Sequence, residues 1–386
     1  MQSKAGARAR VKGMVRAVPE GPRVVVAAGG TAGHVVPAMA VAAELRKSGA
    51  EVSFLGTREK AEADLVPAAG YEIDFLNVHG IDRRNPLRAA RAGFEALGAI
   101  GTVRSVLRRR RADVVMGAGG YVAAPAGMAA ILGRKPLVLT EADSHLGLAN
   151  RLLAGRARRV CLAFPIEGRE GDPYLVTGRP VPEAVLAADR GKARARFGIG
   201  DGERALLVVG GSLGARSVNF AAVEAFAERE GRDFRVLHVA GRRDHEALRE
   251  RLHNAPYKEG YELIEYEPNL GDVLAAGDLI LGRSGGSVFE FVAAGRPAVL
   301  VPYPHATADH QRTNAQWMER AGAATIVDDA ALDPAALLAE VGGILGDPAR
   351  LEKMSAAARG LAKPEAARDI ADQVLEAAAS VKDGSR

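Results

Sequence analysis

Val24-Val25-Val26-Ala27-Ala28-Gly29-Gly30-Thr31-Ala32-Gly33-His34, followed by Val36-Pro37-Ala38-Met39-Ala40-Val41-Ala42-Ala43-Glu44-Leu45, is the stretch whose reading decides the fold. An unbroken apolar run ending in glycines reads as a buried parallel strand, and the alanine-rich stretch beyond it reads as a helix. Strand, glycine turn and helix in that order open a parallel α/β unit. The unpaired backbone N–H groups at such a helix start carry partial positive charge and make a seat for an anion or a polar ligand. His34 stands at the tip of the turn. A glycine turn can also do no more than connect a strand to a helix.

The chain builds the same unit twice. Ala205-Leu-Leu-Val-Val209 leads into Gly210-Gly211-Ser212-Leu213-Gly214, the same Gly-Gly-x-x-Gly spacing as at 29–33. Asp113-Val-Val-Met-Gly117 before Gly119-Gly120 is matched by Asp278-Leu-Ile-Leu-Gly282 before Gly285-Gly286. The expected fold class is therefore α/β, with two Rossmann-like parallel domains facing each other across a cleft and ligands at the C-terminal ends of the strands. A nicotinamide or flavin enzyme is disfavoured. The glycines are not spaced Gly-x-Gly-x-x-Gly, and Gly56-Thr57 ends the second strand where a ribose-binding acid would stand.

With 386 residues, two domains are the default. We expect a flexible basic tail at 1–22, an N-terminal domain at 23–165, and a linker at 166–182 marked by Pro173, Pro180 and Pro182. A C-terminal domain at 183–345 follows, and helices at 346–386 pack back towards the N-terminal domain. The single cysteine, Cys161, excludes an internal disulfide and fits a reducing cytoplasm. No apolar stretch of about 18 residues, the length a membrane-spanning helix requires, is present.

Residues 82–111 hold nine arginines and two acids, ending in Arg108-Arg109-Arg110-Arg111. Ala92, Ala96, Ile100, Val103 and Leu107 recur at helical spacing, with Leu87, Phe94 and Leu97 beside them. Two readings stand: a core-facing helix with a solvated basic face, or a surface that meets anionic lipid headgroups. Nucleic acid is not expected as a partner, because aromatic side chains for base stacking are nearly absent here. No metal site is expected. Glu141 and Asp143 offer too few oxygen ligands for a hard cation, and His305 and His310 are off the i, i+4 spacing of a helical ligand pair.

Taken together, GGTAGHVVPA at 29–38, GAGGYVAAPAG at 117–127, GGSLGARSVN at 210–219, GRSGGSVFE at 282–290 and HATADHQRTNA at 305–315 resemble the MurG-type N-acetylglucosaminyltransferases of peptidoglycan synthesis. The resemblance covers nearly the whole chain and implies the two-domain GT-B fold with the C-terminal helix crossing back. It implies inverting, metal-independent transfer of N-acetylglucosamine from its UDP donor to the 4-hydroxyl of undecaprenyl-diphosphate-linked muramoyl-pentapeptide. No cofactor is implied. The implied partners are the UDP-sugar, the polyprenyl acceptor and an anionic membrane surface, with the protein peripheral on the cytoplasmic face of the membrane.

Carried onto this sequence, the resemblance implies His34 as general base, since a neutral imidazole can take the acceptor hydroxyl's proton at cytoplasmic pH. His34 merely capping its helix is the competing role. Thr31, Ala32, Gly33 and Asp143 are implied near the donor sugar and diphosphate. Gly210, Gly211, Ser212 and Gly214 are implied around the diphosphate, Glu290 at the ribose, His310 and Gln311 at the donor sugar, and the backbone of Tyr266 and Glu267 at the uracil. Gly119, Gly120, Tyr121, Phe94, Leu97 and the arginines 108–111 are grouped with the acceptor and the membrane. The sequence departs from the family pattern at Asp143, where asparagine is usual, at Pro182, where arginine is common, and at His310, the first of two glutamines in the family. Alternatives are a related glycolipid glycosyltransferase using another UDP-sugar, a sugar-nucleotide isomerase on the same fold, and a non-catalytic membrane-surface protein.

Overall fold

The computed structural model describes residues 21–78, 86–211, 214–306 and 309–382, with side chains described except at 86–94, 96, 381 and 382. The first half runs β1 (Arg23–Ala27), α1 (Ala32–Lys47), β2 (Glu51–Gly56), α2 (Glu62–Ala68), β3 (Glu72–Phe75), α3 (Pro86–Arg109), β4 (Val114–Gly117), α4 (Ala123–Leu132), β5 (Leu137–Glu141), α5 (Leu148–Leu153), β6 (Arg159–Leu162) and β7 (Tyr174–Val176). These seven strands form one parallel sheet in the order β3-β2-β1-β4-β5-β6-β7. Alternate residues of β1 explain its unbroken apolar run. Val24 and Val26 enter the layer under α1, while Val25 and Ala27 enter the layer under α3 and α4. Both faces of the strand are covered, so neither can be polar.

After two short helices, α6 (Glu183–Leu186) and α7 (Arg190–Arg196), the second half repeats the plan. Its elements are β8 (Ala205–Val209), α8 (Arg216–Phe226), β9 (Arg235–Val239), α9 (His245–Asn254), β10 (Tyr261–Ile264), α10 (Leu270–Ala276), β11 (Leu279–Gly282), α11 (Val288–Ala293), β12 (Ala298–Leu300), α12 (His310–Arg320), β13 (Ala324–Ile326) and α13 (Pro334–Leu345). The sheet order is β10-β9-β8-β11-β12-β13, again all parallel. In both sheets the order reverses direction beside the first strand of the half. That crevice is where open α/β sheets take their ligands.

The register brings the glycine turns together. Ala27 pairs with Gly117, so the turns at 29–33 and 118–120 leave adjacent strands at one level. Val209 pairs with Gly282, which does the same for 210–214 and 283–287.

The chain ends in α14 (Pro348–Leu361) and α15 (Ala366–Lys382). Leu351, Met354 and Ala358 of α14 stay in the cores of the C-terminal domain. By contrast Ile370, Ala371, Val374, Ala377 and Ala378 of α15 join the N-terminal core beside Val35, Ala38, Val41 and Leu45 of α1. Burying an isoleucine or valine is worth about 1.5–3 kcal/mol, so Ile370 and Val374 tie the end of the chain firmly to the first domain.

Two expectations are refined. The stretch 166–182, expected as a linker, contains β7, which pairs Val160 with Tyr174 and Leu162 with Val176 at the sheet edge. Three strand residues between Pro173 and Gly178 are too few to show a period. In α3 the expected core face is seated by Val103 and Leu107, with Ala99 and Val106 joining it. Arg109 and Arg110 are not a free basic surface: Arg109 pairs with Asp74 at 2.6 Å, and Arg110 with Asp74 at 2.8 Å and with Glu72. This arginine run sits at the start of β4, the end of the sheet opposite to the glycine turns. Phe94 lies in α3 with its side chain outside the described residues, and residues 1–20 are likewise outside them.

Candidate active site

Each switch point opens into a cleft. The N-terminal one, about 790 Å³, is lined by Gly29, Gly30, Thr31, His34, Thr57, Arg58, Lys60, Asn77, Gly120 and Tyr121, among others. The C-terminal one, about 880 Å³, includes Gly210, Gly211, Gly214, Arg216, Arg243, Arg283, Gly285, Gly286, Tyr303, His305 and Gln311.

Thr31 is the N-cap residue of α1 and makes no side-chain cap, so His34 is the third helical residue, with its N–H donating to the Thr31 carbonyl at 3.0 Å. Thr31, Ala32 and Gly33 are exposed and His34 is half-buried. Its Nδ1 is buried without a hydrogen-bond partner. Gly119 explains how the ring fits: φ is +91°, and a Cβ there would stand 2.7 Å from Nδ1. Gly120, with φ +75°, lies so close to the Gly29 carbonyl that a Cβ would overlap it. Only glycine tolerates both the dihedral and the approach. Burial is the main influence holding the His34 imidazole below its usual range, with Arg179 adding to it against Asp143 and Glu62. The net effect favours the neutral ring at pH 7, the form in which an imidazole can accept a proton.

The loop that carries His34 is held by a residue that sequence reasoning did not single out. Glu62, fully buried at the start of α2, accepts from the Thr57 N–H at 3.0 Å, the Thr57 hydroxyl at 2.7 Å and the Gly30 N–H at 3.2 Å. Because the Thr57 proton goes to Glu62, the Tyr121 hydroxyl donates to Thr57 Oγ1 at 3.1 Å. Tyr121, Thr57 and Glu62 thus tie the loop after β4 to the loop after β1. Glu141 plays the corresponding part after β5, accepting from the N–H groups of Asp143 at 3.2 Å and Gly147 at 2.8 Å and from Asn150 Nδ2 at 2.9 Å. Its oxygens organise the loop that holds Asp143 near His34. Nothing short-range in the sequence marks either acid for this work.

In the C-terminal cleft the turn is described at Gly210, Gly211 and Gly214. Gly211 and Gly214 have φ of +79° and +76°, and the Gly214 N–H donates to the Gly211 carbonyl at 2.9 Å. Ser212 lies outside the described residues. Behind the turn, Asn219 Nδ2 donates to the Ala240 carbonyl at 2.9 Å and to Asp244 at 3.1 Å, while its Oδ1 faces His238 Nε2 at 3.1 Å. His238 Nδ1 meets the Tyr261 hydroxyl at 2.7 Å. Arg216 and Arg243, both on the cleft, share the buried Asp244.

Gln311, in the first turn of α12, lines the cleft and accepts from the Tyr303 N–H at 3.0 Å through Oε1, which leaves its Nε2 beside Gly285. His310 precedes it, half-buried and outside the lining. Glu290 is half-buried in the first turn of α11, behind the lining, and burial raises its carboxyl to about 7 against the pull of Arg179. Tyr266 and Glu267 follow β10 at the ligand-bearing end of the sheet but do not line the cleft. The Tyr266 ring is exposed and carries the Arg242 guanidinium at 5.0 Å, and the Glu267 carboxylate accepts from Arg196 at 2.5 Å and from the Asn269 N–H at 2.8 Å.

Residues 24–162 match the glycosyltransferase family 28 N-terminal domain, and residues 205–374 match the family's C-terminal domain. A UDP-N-acetylglucosamine--N-acetylmuramyl-(pentapeptide) pyrophosphoryl-undecaprenol N-acetylglucosamine transferase from Moorella thermoacetica is 40% identical over 370 residues, 92% of this chain and 98% of that protein. Among solved structures, Acinetobacter baumannii MurG superposes with a TM-score of 0.76 at 30% identity, covering 92% of this chain and 99% of that one. A UDP-GlcNAc 2-epimerase from Neisseria meningitidis superposes with a TM-score of 0.65 at 16% identity, over 92% of this chain and 100% of that one, a likeness of fold alone.

Proposed function

Because the chain belongs to glycosyltransferase family 28, we propose that it is an inverting N-acetylglucosaminyltransferase of peptidoglycan synthesis, taking its sugar from UDP-N-acetylglucosamine and giving it to undecaprenyl-diphosphate-linked muramoyl-pentapeptide. The observation that carries this reading is the 40% identity to the Moorella enzyme, which runs through both domains. The geometry of the cleft supports it.

In the reaction the acceptor's 4-hydroxyl oxygen forms a bond to the anomeric carbon as the bond from that carbon to the β-phosphate oxygen breaks. The electron pair leaves with UDP, and the hydroxyl proton goes to His34. With Nδ1 buried against Gly119, Nε2 is the nitrogen that meets the acceptor. The donor diphosphate lies over the Gly210–Gly214 turn at the head of α8, where free N–H groups and nearby arginines compensate its charge. Gln311 Nε2 and Asp143 hold the sugar, and Glu290 accepts the ribose hydroxyls. Ligand hydroxyls donating to Glu290 favour its ionised form, against the effect of burial.

A polyprenyl-linked acceptor calls for a membrane surface. No helix among the described residues is long and apolar enough to cross a membrane. Large apolar side chains are instead exposed on three neighbouring helices: Leu97 on α3, Met128 and Leu132 on α4, Leu148 and Leu152 on α5. Arg134 and Arg151 are exposed beside them. Apolar side chains ringed by cations suit the headgroup region of the cytoplasmic leaflet, and this face takes the role expected of the arginines at 108–111.

Purified protein mixed with UDP-N-acetylglucosamine and the lipid-linked muramoyl acceptor should release UDP in step with disaccharide formation. Turnover only with another UDP-sugar, or epimerisation of the donor without any acceptor, would overturn the assignment.

A further inference from the structure

Arg179 lies three residues past β7, where the chain leaves the first sheet for the second domain. Its Nη2 donates to the Gly33 carbonyl at 2.5 Å, in the His34 loop, and Nη1 makes a long contact of 3.5 Å to the Ala142 carbonyl. On its other side the guanidinium packs against Gly286, where a Cβ would stand 2.6 Å from Nη2. The group thus spans the cleft from the base-bearing loop of one domain to the donor-side turn of the other.

The neighbouring arginines differ from it. Arg216 and Arg243 share Asp244 at 3.1 and 3.2 Å, and Arg283 meets Asp329 at 2.5 Å. Arg179 has no carboxylate within 4 Å among the described residues, and its influence on Asp143, Glu141 and Glu290 is through space. A guanidinium has five N–H donors, so most of this one's are unused. A half-buried guanidinium at a domain junction with no carboxylate beside it is suited to an anionic ligand.

We propose that Arg179 binds the donor diphosphate and takes up the charge that develops on the β-phosphate as the glycosidic bond breaks. This deepens the glycosyltransferase reading and rests on it. When the electron pair passes to the β-phosphate oxygen the leaving group gains one negative charge, and a forked donor already fixed between the Gly33 carbonyl and Gly286 can receive it with little reorganisation. The same side chain grips the Gly33 carbonyl, so donor binding and the placement of the His34 loop are joined through one residue.

The test compares UDP with uridine, which lacks the diphosphate, by calorimetric titration of the full chain and its R179Q and R179K variants. We expect R179Q to bind UDP at least tenfold more weakly with uridine affinity unchanged, and R179K to fall between, since an ammonium cannot offer the paired donors. With donor and lipid acceptor, kcat/KM for the donor should drop about 100-fold in R179Q, a loss typical of removing one charge-stabilising donor. UDP affinity within twofold of the parent, or equal losses for UDP and uridine, would overturn the proposal. If R179Q does not fold, the UDP-to-uridine comparison in R179K decides by the same criterion. A parent protein that transfers no sugar yet shows the Arg179-dependent difference between UDP and uridine refutes the transferase reading and leaves the diphosphate assignment standing.

Discussion

Replacing Glu62 by alanine should loosen the His34 loop without touching any residue that meets substrate. Three donors converge on this carboxylate, and two of them, the N–H groups of Thr57 and Gly30, belong to the backbone and cannot turn elsewhere. A buried donor left unsatisfied costs about 1–3 kcal/mol, so the two backbone groups set a range of about 2–6 kcal/mol. Thr57 and Gly30 also line the N-terminal cleft, and water can enter from it, which favours the lower half of that range. We expect about 2–4 kcal/mol, or roughly 5–10 °C in the melting temperature of a domain of this size, read by circular dichroism. Glu62→Gln should recover about half, because its carbonyl oxygen can still serve Thr57 while its amide meets the Gly30 N–H donor to donor. Displacing His34 by about 1 Å should lower kcat about 100-fold in the UDP-release assay with little change in donor KM. Alanine and glutamine variants that both melt within 2 °C of the parent and keep full turnover would refute the role given to Glu62.

His34→Ala should lower kcat by about 10²–10⁴ and remove the acid limb of the pH–rate profile, whose midpoint in the parent lies below 6.5; an unchanged profile would exclude His34 as the base. Burial pushes His238 down to about 3, so the folded protein takes up fewer protons than the unfolded chain below about pH 6.5. Its contribution, present above that pH, should be lost as pH falls towards 3, by up to about 5 kcal/mol in denaturant titrations; His238→Asn should flatten that slope. The Cys161 thiol is buried and pushed up to about 12, so the native protein should resist iodoacetamide at pH 8 and react only on unfolding; rapid labelling of the folded state would contradict this. Leu97, 64% exposed, and Leu152, 71% exposed, anchor the proposed membrane face. Changing both to serine should cut flotation with anionic liposomes about tenfold or more while sparing turnover of detergent-dispersed acceptor, and unaltered flotation would remove that face from consideration.

The legible part of this protein is what short-range pattern encodes. Apolar runs closed by Gly-Gly-x-x-Gly declare buried parallel strands entering helices, and their recurrence at 29–33 and 210–214 declares two such domains, because strand burial and helix entry are decided within about ten residues of sequence. The same locality exposed His34 at a helix start, whereas Gln311 was implied only by the family resemblance and its place in the first turn of α12 came from the fold. Long-range contact decided the rest. Glu62 reaches Gly30 across 32 positions and Arg179 reaches Gly33 across 146, and in neither case does the acid or the arginine differ from a surface residue until the sheet order closes those distances. β7 was hidden for a related reason: three residues between breakers become a strand only because β6 offers them an open edge. Only the folded chain brings Arg179, His34 and Gly286 to one junction between the domains. Sequence determined which turns would face the cleft, and tertiary structure decided which charges stand in it.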